Sequence, residues 1–533
     1  MYNNQMVSVC NRRQTAGYMA LTILILVIGS ALASLIYASA GSLSTVDLAG
    51  IWPVAKFTVW QAFLSTLISI AFALPVARAF VTFHEFPGRK FLLVLFTVPL
   101  SLPVIVAVLG IVTLLGRNGL ISQIFQWFGL DLRPDIYGLS GILIAHVFFN
   151  MPLAVRLFLE RFNAIANEHW KLAETLRFSH YERMRYILFP AIVDVLPGIA
   201  SLIFFLCAAS YSIILVLGGN PGTTTLQVAI YQSLSFDFDM GKAAILTLAQ
   251  LAILTVIARI AVGKRTETIR KAYGNDAPRL YHRPGVNEVV LGSIWLISAS
   301  VFVTAPLGAM VYAGVLVDHV RLFSQPDFWC ALVTSSTIGI FSAMIAVGLT
   351  LAILAAHYSF VRAGKNGLAA IFNLVSAVAL GIPSLILGVG WFIFLSKSGI
   401  GFSLVPLLII LANMIMALPF AIQILKPAVT KNYDAHDRLS ATLGLFGWSR
   451  FWIVDVPVMR RAIISALLFA FALSLGDLGV VTLFGSDRIL TLPALLFAKM
   501  GSYRTDDAAG LALYLALFTG IISYLALRAV DND

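Results

Sequence analysis

Long apolar runs separated by short polar stretches make up almost the whole of this chain. Each run is close to the roughly 20 residues that an α-helix needs to cross a bilayer core of about 30 Å. Apolar residues follow one another within the runs without a period of two, which favours helices over the strands of a barrel. We therefore predict twelve membrane-spanning helices, near 17–40, 57–83, 91–115, 137–159, 191–217, 241–263, 287–316, 330–357, 368–396, 403–425, 462–484 and 506–528.

The chain repeats itself on either side of a polar stretch at 263–287. Pro152 in the fourth run has Pro419 in the tenth as its counterpart, and shorter matches recur at the same distance along the sequence, which we call the repeat spacing. We predict an all-α polytopic membrane protein of two fused six-helix halves, related as a parallel repeat. The predicted domains are an N-terminal segment with the first helix (1–56), a first repeat domain (57–262), a cytosolic linker with the seventh helix (263–329), a second repeat domain (330–528) and a tail (529–533).

Composition and charge agree with this class and orient the helices. Hydrophobic residues make up 59% and charged residues 11% of the chain, whereas soluble domains carry about 25% charged residues. If the N-terminus is cytosolic, 27 of the 36 Lys and Arg residues fall on cytosolic stretches. The positive-inside rule therefore predicts cytosolic N- and C-termini. Topology accounts for the net charge of +11, so we predict no nucleic-acid partner.

The N-terminus has features of a signal peptide. Arg12 and Arg13 precede an apolar stretch that ends at Ala38-Ser39-Ala40. The stretch is about twice the 7–15 residues of a signal-peptide core. We interpret it as an uncleaved first span, and cleavage is the alternative.

Two short polar segments stand out because they recur at the same place in each half. In the first, Leu172, Ala173 and Leu176 fall on one stripe at helical spacing, and in the second Leu439, Ser440 and Leu443 do the same. We predict a short helix for each segment, capped at its start by Asn167 or Asp434. Arg177 then lies at the negative end of the first helix, and Gly444 lies where a left-handed residue ends the second.

An apolar stripe that projects into the cytosol usually contacts a protein partner. A helix on the lipid surface is the competing interpretation, and the basic residues nearby suit it. The recurrence, each time followed by Ile187-x-x-Pro190 or Val454-x-x-Pro457, favours two equivalent docking sites. We call residues 167–177 and 434–444 the first and second docking segments.

These segments resemble the "EAA" loop of ABC importer permeases, roughly E-A-A-x-x-x-G followed by I-x-L-P. The first copy has Lys171-Leu172-Ala173, Arg177 and Pro190, and the second has Arg438-Leu439-Ser440, Gly444 and Pro457. Both copies lack the acidic residue, and the first lacks the glycine. The resemblance implies a type I ABC importer permease fold over about 57–262 and 330–528. It also implies two copies of an ABC ATPase on the docking segments, a periplasmic binding protein, and a place in the bacterial inner membrane.

Several stretches outside the docking segments are similar in sequence to the thiamine permeases of gram-negative bacteria. The similar stretches are Leu206–Tyr211, Leu217–Thr225, Ala229–Asp239, Ser474–Gly479 and Thr491–Pro493. This resemblance implies thiamine or its phosphates as the transported substrate and a thiamine-binding protein as partner. Ferric-iron importers are the other fused family, and the residues by themselves leave the substrate open.

The chain lacks the motifs of an enzyme. No G-x-x-x-x-G-K-[ST], HExxH or GxSxG occurs, and no metal-ligand spacing exists. We therefore expect no cofactor or metal on this chain, with ATP and Mg²⁺ on the partner ATPase. A twelve-span secondary carrier is a further alternative, but such carriers usually hold acidic or histidine relays within the membrane, and few ionisable residues occur inside these runs.

Asp477 is the clearest ionisable residue within a predicted span, and its counterpart in the first half is Ser210, beside Tyr211. Because an unpaired carboxylate in hydrocarbon is costly, Asp477 should face a pathway or a partner. One hypothesis is that Asp477, with Ser210 and Tyr211, lines the path of a cationic substrate. The alternative is that Asp477 lies near the outer end and pairs with a backbone amide or with Arg488.

Overall fold

The structure is a computed structural model that describes residues 2–40, 48–83, 86–131, 133–219, 221–262, 285–372, 382–398, 402–445, 447–484, 489–502 and 504–531. All regular structure in these ranges is helical, which confirms the all-α prediction. The α-helices are α1 (Tyr2–Ala40), α2 (Leu48–Thr82), α3 (Arg89–Leu95), α4 (Val98–Ser101), α5 (Val104–Leu115), α6 (Leu120–Trp127), α7 (Leu139–Asn163), α8 (Asn167–Thr175), α9 (His180–Arg183), α10 (Phe189–Ala208), α11 (Ser212–Leu217), α12 (Leu226–Ser235), α13 (Met240–Val262), α14 (Val286–Val315), α15 (His319–Phe323), α16 (Pro326–Arg362), α17 (Ser384–Ser398), α18 (Val405–Thr442), α19 (Gly447–Arg450), α20 (Val456–Leu475), α21 (Gly479–Phe484), α22 (Leu492–Gly501) and α23 (Thr505–Asp531).

Eleven helices in the described ranges are long and apolar enough to cross a membrane. The twelfth predicted span, 368–396, is represented by a helical stretch at 366–372 and by the 15 residues of α17. Part of that predicted span, residues 373–381, lies outside the described residues. The polar linker at 263–284 lies outside them as well.

Three predicted spans are interrupted rather than continuous. The span predicted at 91–115 is divided into α3, α4 and α5, and Leu102, which precedes Pro103, is in extended conformation before α5. A proline has no N–H to continue a helix and disfavours helical geometry in the residue before it, so Pro103 accounts for the break before α5. The spans predicted at 191–217 and 462–484 are interrupted before α11 and α21.

The helices form two compact units that do not follow chain order. One unit contains Met1–Val46, Ile230–Leu251 and Leu316–Asp533. In its centre, α16, α18 and α20 pack on one another, and α1 runs along α16, α17 and α18. Gly17 allows the close approach of α1 to α16, because a Cβ there would lie 2.1 Å from the Cβ of Ala356. The first span therefore packs with the second half of the sequence.

The other unit contains Asp47–Ala229 and Ala252–Val315. Here α2, α7 and α10 pack together, and α14 covers α2 and α5. Gly110 brings α5 against α14, since a Cβ at this position would lie 2.5 Å from the carbonyl oxygen of Pro306. The seventh span therefore packs with the first half of the sequence.

Within each unit the helices that follow the docking segment keep the repeat spacing. Moving the bounds of α9, α10 and α11 along the sequence by the distance from Pro152 to Pro419 gives the bounds of α19, α20 and α21 without adjustment. The sequence repeat is therefore also a repeat of local structure.

Candidate functional site: the two docking segments

The first docking segment is a separate short helix. After α7 the chain makes a break at 164–166, and α8 then runs from Asn167 to Thr175. Leu172 and Leu176 are each 57% exposed. Ala173 is buried, although the sequence placed it on the same stripe, so the exposed apolar surface consists of the two leucines alone.

The second docking segment has the same exposed leucine pair, but it belongs to a different kind of helix. Leu439 is 57% exposed and Leu443 64% exposed, while Ser440 is buried as Ala173 is. The segment is not a separate helix, since it forms the last turns of α18, a continuous helix of 38 residues. Arg438 beside the leucines is exposed.

The two N-caps predicted from the sequence are wrong. Asn167 is the first residue of α8; Ala166 occupies the cap position and no side chain caps the helix. Asp434 lies inside α18, where its carboxylate accepts a hydrogen bond from the Tyr358 hydroxyl. No glycine or proline occurs between Pro427 and Gly444, so nothing in the backbone interrupts the helix that arrives from the span.

Both docking segments end in the same cap. The Phe178 N–H donates to the Ala173 carbonyl at 2.8 Å, and the Leu445 N–H donates to the Ser440 carbonyl at 2.9 Å. These i to i−5 bonds, with a left-handed residue before each donor, form a Schellman motif. Gly444 has φ 68°, which confirms the predicted glycine end, and Arg177 adopts φ 52° in place of a glycine.

This geometry predicts opposite effects for two substitutions. The left-handed conformation costs a residue with a Cβ roughly 1 kcal/mol, or about fivefold in an opening equilibrium. We expect Arg177→Gly to slow amide hydrogen exchange of residues 172–178 about fivefold and Gly444→Ala to speed exchange of 439–445 by a similar factor. Ala435→Gly, in the interior of α18, is the control, because there glycine should speed exchange. Faster exchange in Arg177→Gly would contradict this account of the cap.

A π-helical turn follows each docking segment. The turns cover Met184–Leu188 and Phe451–Asp455, which are again equivalent positions of the repeat. Pro190 and Pro457 are the second residues of α10 and α20, which continue each π turn without a break, and a proline there removes one backbone hydrogen bond of the helix. The Ile-x-x-Pro and Val-x-x-Pro signatures of the sequence therefore mark the place where each segment joins a span, and single π turns are frequent at functional positions.

The sequence did not predict the group of ion pairs that holds the second docking segment to neighbouring helices, which we call its anchor. Asp437, on the buried face of α18, pairs with three arginines. The distances are 3.0 Å to Arg13 of α1, 2.7 Å to Arg362 of α16 and 2.5 Å to Arg450 of α19. Arg450 also donates to Asp455 at 3.3 Å. The anchor thus joins four helices, and no local sequence signal marks it.

Two tyrosines fill the space around these charges. The guanidinium groups of Arg13 and Arg450 lie 4.2 and 5.1 Å from the centre of the Tyr433 ring. Tyr433 in turn contacts Tyr358 edge to face, with ring centres 5.0 Å apart. We call Arg13, Tyr358, Arg362, Tyr433, Asp437, Arg450 and Asp455 the arginine cluster.

The residues proposed for a substrate pathway lie at matching helix interruptions. Ser210 and Tyr211 separate α10 from α11, and Asp477 separates α20 from α21. Asp477 Oδ1 accepts from the Gly479 N–H and from the Ser384 hydroxyl, each at 3.3 Å. Asp477 Oδ2 is buried without a hydrogen-bond partner among the described residues, which do not include Arg488.

Comparison with known proteins finds membrane transport permeases similar to this chain. Residues 69–263 match the family described as binding-protein-dependent transport system inner membrane component. A thiamine transport system permease protein of Brucella abortus (strain 2308) is 43% identical over 98% of this chain and 96% of its own length. Its counterpart from Escherichia coli (strain K12) is 36% identical over 91% and 90%. A Haemophilus influenzae chain that carries the name of a ferric transport system permease is 24% identical over 76% of this chain and 66% of its own length.

The first two similarities extend over nearly the entire chain, and the ferric relative is more distant in both identity and coverage. A permease of this kind is a transport subunit rather than an enzyme, and the ATPase that drives it is a separate chain. By the match of its sequence, its repeated helices and its apolar spans, the chain belongs to the family of thiamine transport system permeases, the inner-membrane subunits of ATP-driven, binding-protein-dependent importers.

Proposed function

We propose that this chain carries thiamine across the bacterial inner membrane, with one copy of an ATPase seated on each docking segment and a periplasmic thiamine-binding protein delivering the ligand. The observation that supports ATPase docking most directly is the pair of exposed leucines that recurs at equivalent positions of the repeat, Leu172 and Leu176 in the first segment and Leu439 and Leu443 in the second. The names of the relatives support thiamine as the substrate.

The energy of docking follows from the leucines. Full burial of a leucine side chain contributes about 2 kcal/mol; because these side chains are 57–64% exposed, two leucines per segment supply roughly 2 kcal/mol to each interface. The buried residues behind them, Ala173 and Ser440, belong to the protein interior and transmit the movement rather than touching the ATPase. Because Arg438 is exposed beside Leu439, it is placed to meet an acidic side chain of the ATPase.

Orientation is part of this proposal. The docking segments must lie on the ATPase side, which places the N- and C-termini in the cytosol as well. The excess of Lys and Arg on the same side supports this placement.

A pathway role for Asp477 fits a cationic ligand. Thiamine carries a permanent positive charge on its thiazolium ring, and Asp477 Oδ2 has no donor among the described residues. Helix interruptions within membrane proteins are tolerated where they are buried in protein or line a cavity, and Ser210 and Tyr211 occupy the matching interruption. We therefore assign Asp477 as a residue that attracts the cation, and we assign Ser210 and Tyr211 the equivalent pathway role in their own unit.

We expect Asp477→Asn to lower thiamine uptake about tenfold, equivalent to a loss of about 1.4 kcal/mol, at unchanged protein level. Uptake is measured with the complete importer in proteoliposomes. Asp327→Asn, which removes a carboxylate at an exposed position in the first turn of α16, should leave uptake unchanged. Uptake at the wild-type rate in Asp477→Asn would remove this residue from the pathway.

Reconstitution tests the proposed function as a whole. The permease, its ATPase and its binding protein are placed in proteoliposomes and supplied with ATP and labelled thiamine, thiamine phosphate or ferric iron. We expect ATP-dependent accumulation of thiamine. Accumulation of iron alone would replace thiamine as the substrate, and thiamine uptake by the permease alone on an ion gradient would replace the importer by a secondary carrier.

A further inference from the structure

The two docking segments have the same exposed surface, but they are connected to their membrane spans in very different ways. The first is a nine-residue helix separated from its span by the break at 164–166. The second is continuous with its span and holds Asp437 of the arginine cluster. A short separate helix is marginally stable alone, whereas a continuous helix moves with the span that carries it.

Of the arginine cluster, Arg450 alone has a counterpart of the same type in the first half, Arg183, and the acidic residues have none. At the positions of the first half that are equivalent to Asp437, Tyr433 and Asp455, the chain has Trp170, Ala166 and Leu188. Both acidic positions are therefore apolar in the first half. The anchor is a property of the second docking segment only.

The contacts of Arg13 reach from the N-terminal span to the docking segment. Its guanidinium donates to Asp437 Oδ1 at 3.0 Å and to Oδ2 at 3.4 Å, and lies over the Tyr433 ring. The side chains of Arg13 and Asp437 are only 15% and 8% exposed. A guanidinium that makes two hydrogen bonds to a carboxylate and stacks on an aromatic ring fixes both the orientation of the two side chains and the distance between them. The close packing at Gly17, one turn later, holds α1 in the register that places Arg13 there.

Charges within the cluster are nearly balanced. Arg13, Arg362 and Arg450 meet Asp437 and Asp455, and Asp434 lies at the edge, hydrogen-bonded to Tyr358. Removing Arg13 leaves Asp437 paired with two arginines, so the core of the cluster persists without it. Arg13 therefore attaches the segment to α1, and the fold of the segment does not depend on it.

We propose that Arg13 is a positioning residue that latches the second docking segment to α1, so that the two ATPase subunits meet one firmly held and one hinged segment. Movement of the ATPase on the second segment is passed directly to α1, α16 and α18. Movement on the first segment is partly absorbed at the break before α8. This inference rests on the proposed function only where it concerns the ATPase.

The first test needs no substrate. Amide hydrogen exchange is measured on the complete importer in nanodiscs, comparing residues 434–445 with residues 167–178. In the wild type we expect slower exchange in 434–445. Arg13→Gln should speed exchange of 434–445 about tenfold and leave 167–178 unchanged, and Arg13→Lys should restore part of the protection. Unchanged exchange in Arg13→Gln, or an equal rise in both segments, would overturn the latch.

The second test measures coupling in proteoliposomes. We expect Arg13→Gln to retain bound ATPase but to hydrolyse at least threefold more ATP per thiamine transported. The control is Arg161→Gln, which removes an ion pair to Asp194 in the first half with the same 3.0 Å distance but greater exposure and should leave this ratio unchanged. An unchanged ratio in Arg13→Gln, or the same rise in Arg161→Gln, would show a purely structural role. Absence of thiamine transport in the wild type would contradict the proposed function, while the exchange measurement would still decide the latch.

Discussion

Leu439→Asp is expected to abolish ATP-driven uptake and to release the ATPase from the second docking segment. Leu439 is 57% exposed on the last turns of α18. Loss of the burial that docking adds removes about 1 kcal/mol, or about fivefold in affinity, and a carboxylate placed in an apolar interface weakens it much further. The measurement is the dissociation constant of the ATPase together with uptake by the complete importer.

Two variants make this result specific. Leu439→Met keeps the apolar surface and should retain wild-type uptake, since such exchanges cost little. Leu172→Asp, at the equivalent position with the same exposure, should reproduce the loss at the first segment. If the ATPase remained bound with wild-type affinity in both aspartate variants, these leucines would not be the docking surface.

Asp437→Ala is expected to destabilise the permease strongly. Arg450 is only 5% exposed and would lose its 2.5 Å contact with Asp437, while Arg13 would lose its carboxylate partner. Removing one member of a buried ion pair costs about 3 kcal/mol or more, because Arg13 would stay buried without a carboxylate partner, whereas Arg450 would keep only its 3.3 Å contact with Asp455. The measurement is thermal unfolding of the purified permease in detergent.

The double variant Asp437→Ala, Arg13→Met identifies the cause. If the uncompensated guanidinium of Arg13 is responsible, removing it should recover much of the lost stability, and Arg450 keeps its 3.3 Å contact with Asp455. A double variant that unfolds at the same temperature as Asp437→Ala would show that charge burial is not the origin of the loss.

The sequence predicted the features that depend on local spacing. The exposed leucines, the glycine at 444 and the repeat of the two halves all follow from residue type and position within a helix. The span pattern followed from apolar length, and eleven of the long helices are found in the described residues. These properties are local because a helix places its side chains by a fixed period.

Helix continuity was not predictable in the same way. Asn167 and Asp434 are equally good capping residues in isolation, yet α8 begins at Asn167 without a side-chain cap and α18 runs through Asp434. The different behaviour of the two capping candidates depends on packing, since the Asp434 carboxylate accepts a hydrogen bond from the Tyr358 hydroxyl instead of capping a helix. The π-helical turns have no compositional signature, so only their common position before a proline hints at them.

The sequence patterns did not predict the ion pairs between residues that are far apart in the chain. Arg13 and Asp437 are 424 residues apart, and Arg13 looked like one of the charges that orient the first span. Asp437 lay next to the position where the resembled motif carries its acidic residue, yet its partners come from α1, α16 and α19. Such a cluster is assembled by the packing of the first span on the second half, which hydrophobicity alone does not specify.

Labelling of a single cysteine at position 443 tests the central claim most directly. In a permease whose three native cysteines are replaced by serine, Leu443→Cys should react with a membrane-impermeant maleimide only from the cytosolic side, and bound ATPase should block the reaction. Labelling from the periplasmic side, or labelling that the ATPase leaves unchanged, would contradict the assignment of the two docking segments as the seats of the ATPase.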